Sequence, residues 1–232
     1  MKAFGMTPEE ETPERTEGSR STLGCGRMML ILLVLVGIAM WMGFRYLNLQ
    51  LRSMSYRHVA LVIQEALQNY ASDHDGEFPT SETTSNDAFR ELFRGGIMED
   101  ENFFYVDGCA WHAGKKPDGN IGSEETGFAE AVGKNENHWA YTSGLNQKTS
   151  PENTPIVMSG FTETPGIWCG DTSKKGGVWA GKYAIIVDVS GQARVVDLDK
   201  DYCATESVNR EWRNLLDRVK LVPGAKLLNP DG

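Results

Sequence analysis

A run of seventeen residues without a charge constrains this chain more than any other feature. It covers residues 28–44, reads MMLILLVLVGIAMWMGF, and lies between Arg27 and Arg45. A helix rises ~1.5 Å per residue, so this run covers ~26 Å, close to the ~30 Å hydrocarbon core of a bilayer. The run is apolar on every side, which is typical of a helix without a water-facing surface. It therefore predicts a membrane-spanning helix.

Two other interpretations of the run are a cleaved secretory signal and a buried core helix. The run is longer than the roughly 7–15 apolar residues of a usual signal, and the following GFRYLNLQL has no small-residue cleavage site. A core helix would normally include some polar positions. A permanent single-pass anchor is therefore the favoured interpretation.

The chain differs in composition on the two sides of the anchor. Residues 1–27 are rich in Pro, Glu, Thr and Ser and have no apolar periodicity, which predicts a disordered cytoplasmic tail. Residues 45–232 are long enough for one domain with a core. The net charge of −9, without a basic and aromatic stripe, disfavours nucleic acid as a partner.

Basic residues near the anchor do not by themselves decide its orientation. Three arginines flank each side: Arg15, Arg20 and Arg27 before the anchor, and Arg45, Arg52 and Arg57 after it. The loops that follow the anchor are rich in Gly, Asn and Trp and contain cysteines. We therefore expect the N-terminus in the cytoplasm and the C-terminal domain outside it.

The helix is expected to continue beyond the membrane. Residues 45–73 contain no Gly or Pro, and their apolar positions change from all-round to one-sided. Apolar residues recur every three to four positions and so share one helix face: Val59, Val62, Ile63, Ala66, Leu67 and Tyr70. Gly76 and Pro79 then end the helix near Asp73.

The rest of the chain predicts a small α+β domain. The expected elements are a helix at 86–94 with Ser85 as N-cap, a strand at 102–106, a long loop at 107–135, a strand at 154–158, a hairpin at 182–198 around Ser190-Gly191, and a terminal helix at 205–220. We expect a small antiparallel sheet packed against the long N-terminal helix.

The segment ALQNYASDHDGEFP resembles the end of the long helix in type IV pilins and type II secretion pseudopilins. Its matching positions are Tyr70, Asp73, Gly76, Phe78 and Pro79. Three further segments occur in the order found in that family: NDAFRELFRGGIMEDENFFYVDGC, HWAYTSGLNQKTSPENTPIVMSG and GGVWAGKYAIIVDVSGQARVVDL. The resemblance covers roughly residues 45–198 and implies a pilin-like fold.

This resemblance implies a structural subunit of a type II secretion or type IV pilus-like system. Its partners would be the membrane and other pseudopilin-like subunits or secretion-system components, with the domain in the periplasm and the anchor in a bacterial inner membrane. Gly24 or Gly26 could be the leader glycine that precedes processing. The fifth mature residue would then be Met29 or Ile31, where the family has a glutamate. That departure favours an alternative, a stand-alone anchored binding domain that reuses the fold without polymerising.

The cysteines allow several interpretations. Cys25 precedes the anchor, so the other three, Cys109, Cys169 and Cys203, share a compartment. One disulfide is compatible with them, for example Cys109 with Cys169, although the sequence does not fix the pair. Cys109-x-x-His112 has zinc-ligand types at short spacing, but no second tight pair follows, so a disulfide or free thiols explain it better.

Carboxylates alternate at Asp197, Asp199 and Asp201, and oxygen ligands at that spacing could hold calcium. The resemblance points the same way, because major pseudopilins carry calcium in their C-terminal part. The alternative is a solvated acidic turn. No hydrolase, metalloprotease or phosphate-loop motif occurs, so we expect no enzymatic activity and no other cofactor. Four tryptophans, Trp111, Trp139, Trp168 and Trp179, could line a binding surface or anchor loops on the core.

Overall fold

The computed structural model describes residues 22–208 and 211–232. Residues 1–21 of the predicted disordered tail lie outside the described residues. The chain divides into two compact units, with the boundary between Leu49 and Gln50.

The first helix, α1, spans Thr22–Asp73. It ends at the residue that the sequence predicts, and the N–H of Gly76 donates to the carbonyl of Ala71 just beyond that end. Gly76 has a φ of +90°, which favours glycine. The helix begins earlier than expected, since residues 22–27 belong to it rather than to the tail.

The C-terminal unit is built around an antiparallel sheet. The strands of this unit are β1 (Trp139–Ser143), β2 (Pro155–Ser159), β3 (Tyr183–Asp188), β4 (Ala193–Asp197), β5 (Thr205–Val208), β6 (Glu211–Asn214) and β7 (Lys226–Leu228). Five of them form one sheet in the order β4-β3-β2-β1-β7, and β5 pairs with β6 separately. The expected α+β fold, with one long N-terminal helix and a small antiparallel sheet, is confirmed.

One face of the sheet packs against α1 and against a second helix at residues 85–94. The contributing residues of α1 are Ala60, Ile63, Leu67 and Ala71, which are spaced by three and four and are fully buried. The side-chain amides of Gln64 and Gln68 also donate to the carbonyl of Val189, just after β3. The one-sided pattern predicted for this part of the helix is confirmed in part. Of its six residues, Ile63, Ala66 and Leu67 are buried, whereas Val59, Val62 and Tyr70 are half-buried.

The opposite face of the sheet has a second apolar layer. Ala140, Met158 and Ile186 lie on that face, and Trp168 and Leu216 pack against them. Leu216 belongs to a 3-10 helix at Leu215–Leu221. Because both faces are covered, β1 and β2 are buried along their whole length.

The second helix, α2, spans Ser85–Arg94, and its N-cap is Thr84 rather than Ser85. The Thr84 hydroxyl accepts from the N–H of Asp87, as a capping threonine does. The hydroxyl of Ser85 instead donates to the carbonyl of Trp139 in β1. Ser85 therefore connects the helix to the sheet.

Two predicted elements are wrong. Residues 102–106 are not a strand, because a 3-10 helix occupies Glu101–Phe104 and the Asp100 carboxylate caps it by accepting from the N–H of Asn102. Residues 205–220 are not a helix, because Thr205–Val208 and Glu211–Asn214 form a hairpin. In that hairpin Glu206 lies opposite Arg213, and its carboxylate forms an ion pair with Arg218 of the following 3-10 helix at 2.6 Å.

Residues 107–135 form the long loop that the sequence predicts. The loop contains two short 3-10 turns, at Ala110–His112 and Glu124–Thr126. Ala131 and Val132 near its end are fully buried in the core. The loop is therefore an ordered part of the domain, which we call the insert.

Residues 229–232 connect three distant parts of the domain. The carbonyl of Asn229 accepts from the N–H of Ser85 at the start of α2. The carbonyl of Asp231 accepts from the N–H of Asn135 at the end of the insert. The Lys175 ammonium donates to the carbonyl of Gly232. This segment, next to β7, therefore holds α2, the insert and the loop around Lys175 together.

Candidate functional site

The apolar segment of α1 is the most unusual surface of the protein. Every residue from 28 to 44 is exposed, and the least exposed large side chains, Val36 and Ile38, are each 46% accessible. Among the described residues, one helix is long and apolar enough to cross a membrane. An apolar surface on all sides of a helix suits an apolar solvent. Gly24 and Gly26, the two candidate leader glycines, lie in the first turns of the same helix.

The carboxylates at the end of β4 have a local structural role. The Asp199 carboxylate accepts from the N–H groups of Asp201 and Cys203, at 2.9 and 3.0 Å. Such bonds form an Asx-type turn. Asp197 and Asp201 are exposed. In the described parts of the chain, the three carboxylates do not form a group of converging ligand atoms, so calcium binding there stays a prediction.

A different acidic cluster is present, and the sequence gives no signal of it. Carboxylate oxygens of Glu101, Asp118 and Glu136 lie within 4.8 Å of one another. Glu101 is buried, and its two oxygens accept from the N–H groups of Gly119 and Val132. Burial raises the pKa of Glu101, the bond from Gly119 opposes that rise, and the nearby Glu136 adds to it.

Glu136 of the same cluster also accepts hydrogen bonds from backbone N–H groups. One oxygen of Glu136 accepts from the N–H of Asp118 and the other from the N–H of Gly133. The carboxylates are thus acceptors for backbone groups of the insert. They are among the contacts that hold the insert on the domain.

Cys109 pairs with a buried histidine. Its Sγ lies 2.8 Å from Nδ1 of His138, which is fully buried. Burial raises the pKa of the Cys109 thiol to about 12, so the thiol is protonated at neutral pH and donates to Nδ1. Burial also holds the pKa of His138 well below its usual range, and the nearby His112 and Arg52 lower it further.

Within the part of the chain that the structure describes, the second ring nitrogen of His138 has no hydrogen-bond partner. With Nδ1 accepting, this Nε2 carries the proton. The arrangement is a neutral thiol and a neutral imidazole. It differs from the thiolate–imidazolium pair that activates a nucleophilic cysteine.

His112 does not join Cys109 in a zinc site. Its Nε2 accepts from the N–H of Val106, and its Nδ1 lies 3.3 Å from the carbonyl of Asn135. Both ring nitrogens are therefore used inside the domain, and burial lowers the pKa of His112. The zinc interpretation of Cys109-x-x-His112 has no support in this geometry.

The three cysteines beyond the apolar segment are free thiols. They are Cys109, which is buried, and Cys169 and Cys203, which are half-buried. The Cys169 thiol donates to the carbonyl of Lys175 at 3.3 Å. The structure therefore does not contain the Cys109–Cys169 disulfide that the sequence allows.

The four tryptophans anchor loops on the core, as the second interpretation of them predicts. Trp111, Trp139, Trp168 and Trp179 are all buried. Their indole N–H groups donate to Phe161, Phe103 and Ser159, the last of which accepts two of the four bonds. Buried, partnered indoles do not form a binding surface for a ligand.

The surface that distinguishes this protein is thus the apolar part of α1. The buried polar groups of the domain, such as Glu101 and His138, form hydrogen bonds within the domain. No protein-family model, no curated protein and no solved structure matches the chain.

Proposed function

We propose that this protein is a membrane-anchored, pseudopilin-like structural subunit of a type II secretion or type IV pilus-like assembly. The observation that carries the proposal is the difference between the two parts of α1, one exposed and apolar on all sides and the other packed into the domain. Residues 28–44 present apolar side chains on all sides, whereas Ala60, Ile63 and Leu67 belong to the core against the antiparallel sheet. A helix of this kind anchors a domain and is available for packing beside other helices in lipid.

The orientation and compartment are part of the same proposal. The N-terminus lies in the cytoplasm and the domain faces the periplasm of a bacterial inner membrane. Protease treatment of intact spheroplasts tests this directly. We expect degradation of the domain outside and protection of the N-terminal tail, and the reverse pattern would contradict the orientation.

The alternative function is a stand-alone anchored binding domain that does not polymerise. Met29 or Ile31 stands where the family has its glutamate, and this favours the alternative. The intact mass of the membrane-extracted chain discriminates between the two. A chain that begins at Cys25 or Arg27 supports prepilin-type processing, with Gly24→Val or Gly26→Val blocking it. An intact N-terminus favours the alternative.

Helix packing provides a second test. Single cysteines are placed along residues 28–44 in a chain with Cys25→Ser, Cys169→Ser and Cys203→Ser, and are oxidised in membranes. An assembly subunit is expected to cross-link at positions that recur every three to four residues. Uniformly absent cross-linking would contradict packing through this helix.

A further inference from the structure

A groove runs along one side of α1 in the C-terminal unit. It has a volume of about 440 Å³ and is open to solvent. One wall is α1 itself, at Val62, Glu65, Ala66 and Asn69, and the other wall belongs to residues 96–103, which follow α2. All of these residues lie in the same compact unit.

The α1 wall has the spacing of a single helix face. Its four residues stand at positions i, i+3, i+4 and i+7, and at ~1.5 Å per residue they cover ~10 Å, about two turns. Side chains at these spacings form the ridges and grooves through which one helix packs on another. The length and shape of the groove therefore suit about two turns of a partner helix.

The floor of the groove is apolar. Val62, Ile97 and Phe103 are half-buried, and Ala66 and Met98 are buried. A partner that covers the half-buried side chains removes apolar surface from water, which is favourable by ~25 cal/mol per Å². The groove therefore offers a hydrophobic contact to a partner.

The charged residues that line the groove are all acidic. They are Glu65 on the α1 wall and Glu99 and Asp100 on the opposite wall, and all three are exposed. Asp100 accepts from the N–H of Asn102, but in the described part of the chain no cation forms an ion pair with any of the three carboxylates. Both walls therefore carry negative charge that the domain itself does not neutralise.

These charges decide the chemistry of the partner. Carboxylates on both walls attract lysine and arginine and repel an acidic segment. This chain has a net charge of −9, so two copies of it repel each other over most of their surface. A basic segment of a different protein is the complementary partner.

We propose that this groove binds a basic amphipathic helix of a partner protein. The apolar face of that helix packs on Val62 and Phe103, and its flanking lysines or arginines reach Glu65 on one wall and Glu99 on the other. This is the helix-in-groove mode of recognition, in which anchors recur every three to four residues. The contact does not depend on the proposed secretion function, because an assembly subunit and a stand-alone binding domain would use it alike.

The affinity of this contact is expected to be modest and sensitive to salt. Two helical turns bury less than the roughly 1,200 Å² of a stable interface, so dissociation constants in the micromolar range are expected. Exposed charges are screened as the ionic strength rises, so the affinity should fall with added salt.

Peptide binding tests the proposal. The probe is a fluorescent peptide of about 14 residues, composed of leucine and lysine with the leucines on one helix face, which is long enough to become helical when bound. Fluorescence anisotropy follows its titration with the full chain in nonionic detergent micelles, and empty micelles give the background. We expect saturable binding above that background. Its absence would overturn the proposal.

Charge reversal locates the site. The variant Glu65→Lys with Glu99→Lys replaces attraction by repulsion on both walls, so the peptide should bind at least about tenfold more weakly. The matched control is Glu124→Lys with Glu125→Lys, at exposed positions of the insert. It changes the net charge of the chain equally and should weaken binding by less than about threefold. Equal weakening in both variants would assign binding to the overall charge and overturn the groove. Circular dichroism verifies folding of both.

A second peptide tests the apolar floor. It has the same lysines, with every leucine replaced by serine, so it keeps the charge and loses the apolar face. We expect this peptide to bind at least about tenfold more weakly, because each buried leucine contributes ~1.5–3 kcal/mol. Equal affinity of the two peptides would show general electrostatic attraction in place of docking and would also overturn the proposal.

Light scattering of the chain without peptide tests a second copy as the occupant. We expect no self-association that Glu65→Lys with Glu99→Lys abolishes. Self-association lost in that variant would assign the groove to another copy of this chain and overturn the proposed partner. None of these outcomes alters the N-terminal processing or the topology of the anchor, so the proposed function stands or fails by its own tests.

Discussion

Buried histidines are the residues most sensitive to solution conditions in this domain. His138 is fully enclosed beside Cys109, and His112 is tied to Val106 and Asn135. Burial lowers the pKa of both imidazoles. Each imidazole therefore takes up a proton at a lower pH in the folded protein than in the unfolded chain, where the pKa of histidine is about 6.5.

The domain is therefore expected to lose stability in mild acid. The unfolded state binds more protons than the folded state below pH 6.5, so the free energy of unfolding falls as the pH drops through that value. The loss is up to ~1.4 kcal/mol per pH unit for each histidine. Urea unfolding of the full chain in detergent, followed by tryptophan fluorescence at pH 7.5 and 5.5, measures it.

The variant His138→Gln should reduce this pH dependence, whereas His58→Gln, at an exposed position, should leave it unchanged. An identical pH dependence in His138→Gln and the unmodified chain would contradict the role of His138.

Glu101 stabilises the insert through two backbone bonds. Glu101→Ala leaves the N–H groups of Gly119 and Val132 without their acceptor. We expect a loss of ~1–3 kcal/mol in the free energy of unfolding. Hydrogen exchange should become faster at those two amides, and Glu125→Ala, at an exposed site in the insert, should change neither quantity. Unchanged exchange at Gly119 would show that the insert is held by other contacts.

At the scale of elements, the sequence predicts those helices and strands that are determined by neighbouring residues. It does not predict contacts between segments far apart in the chain. The β3–β4 hairpin follows from two β-branched runs around Ser190-Gly191, and Gly191 has the positive φ of +85° that the turn requires. The end of α1 follows from Gly76 and the spacing of its apolar residues. In these cases the residues that decide the structure are neighbours in sequence.

The errors come from short apolar runs whose period is ambiguous. NFFYV at 102–106 looks like a strand, but Asp100 caps a 3-10 helix there. Residues 205–220 have helical apolar spacing, but Thr205–Val208 and Glu211–Asn214 pair as a hairpin, in which the Glu206 carboxylate forms an ion pair with Arg218. The Glu101–Asp118–Glu136 cluster and the Cys109–His138 pair depend on contacts between segments far apart in sequence. No local pattern could reveal them.

The face of α1 that belongs to the core of the domain contributes to its stability. Leu67 is fully buried in it. Leu67→Ala is expected to lower the free energy of unfolding by ~2–5 kcal/mol through lost burial and the cavity left behind. Leu221→Ala is a suitable control because Leu221 is 76% accessible, and it should change stability little. Equal effects of the two substitutions on the urea midpoint would contradict the packing described here.

At the scale of the whole molecule, the apolar segment should decide where the protein resides. Val36→Arg places a charge in the middle of residues 28–44 and raises the insertion free energy by ~2.5–3.5 kcal/mol. We expect a smaller fraction of the chain to resist alkaline carbonate extraction from membranes. Thr126→Arg, at an exposed loop position, should leave that fraction unchanged. A membrane fraction insensitive to Val36→Arg would rule out residues 28–44 as the anchor.

The position of β7 has a consequence for the way the domain is made. This strand closes the sheet beside β1, with Lys226 opposite Ser143, and residues 229–232 then bond back to α2 and the insert. A ribosome produces β1 well before β7, so the β1 edge stays open until β7 has been made. Contacts of such long sequence separation form slowly, and an open edge invites misassembly with other nascent chains. Residues 226–232 therefore close the β1 edge of the newly made domain, and until they do so that edge can pair with other chains.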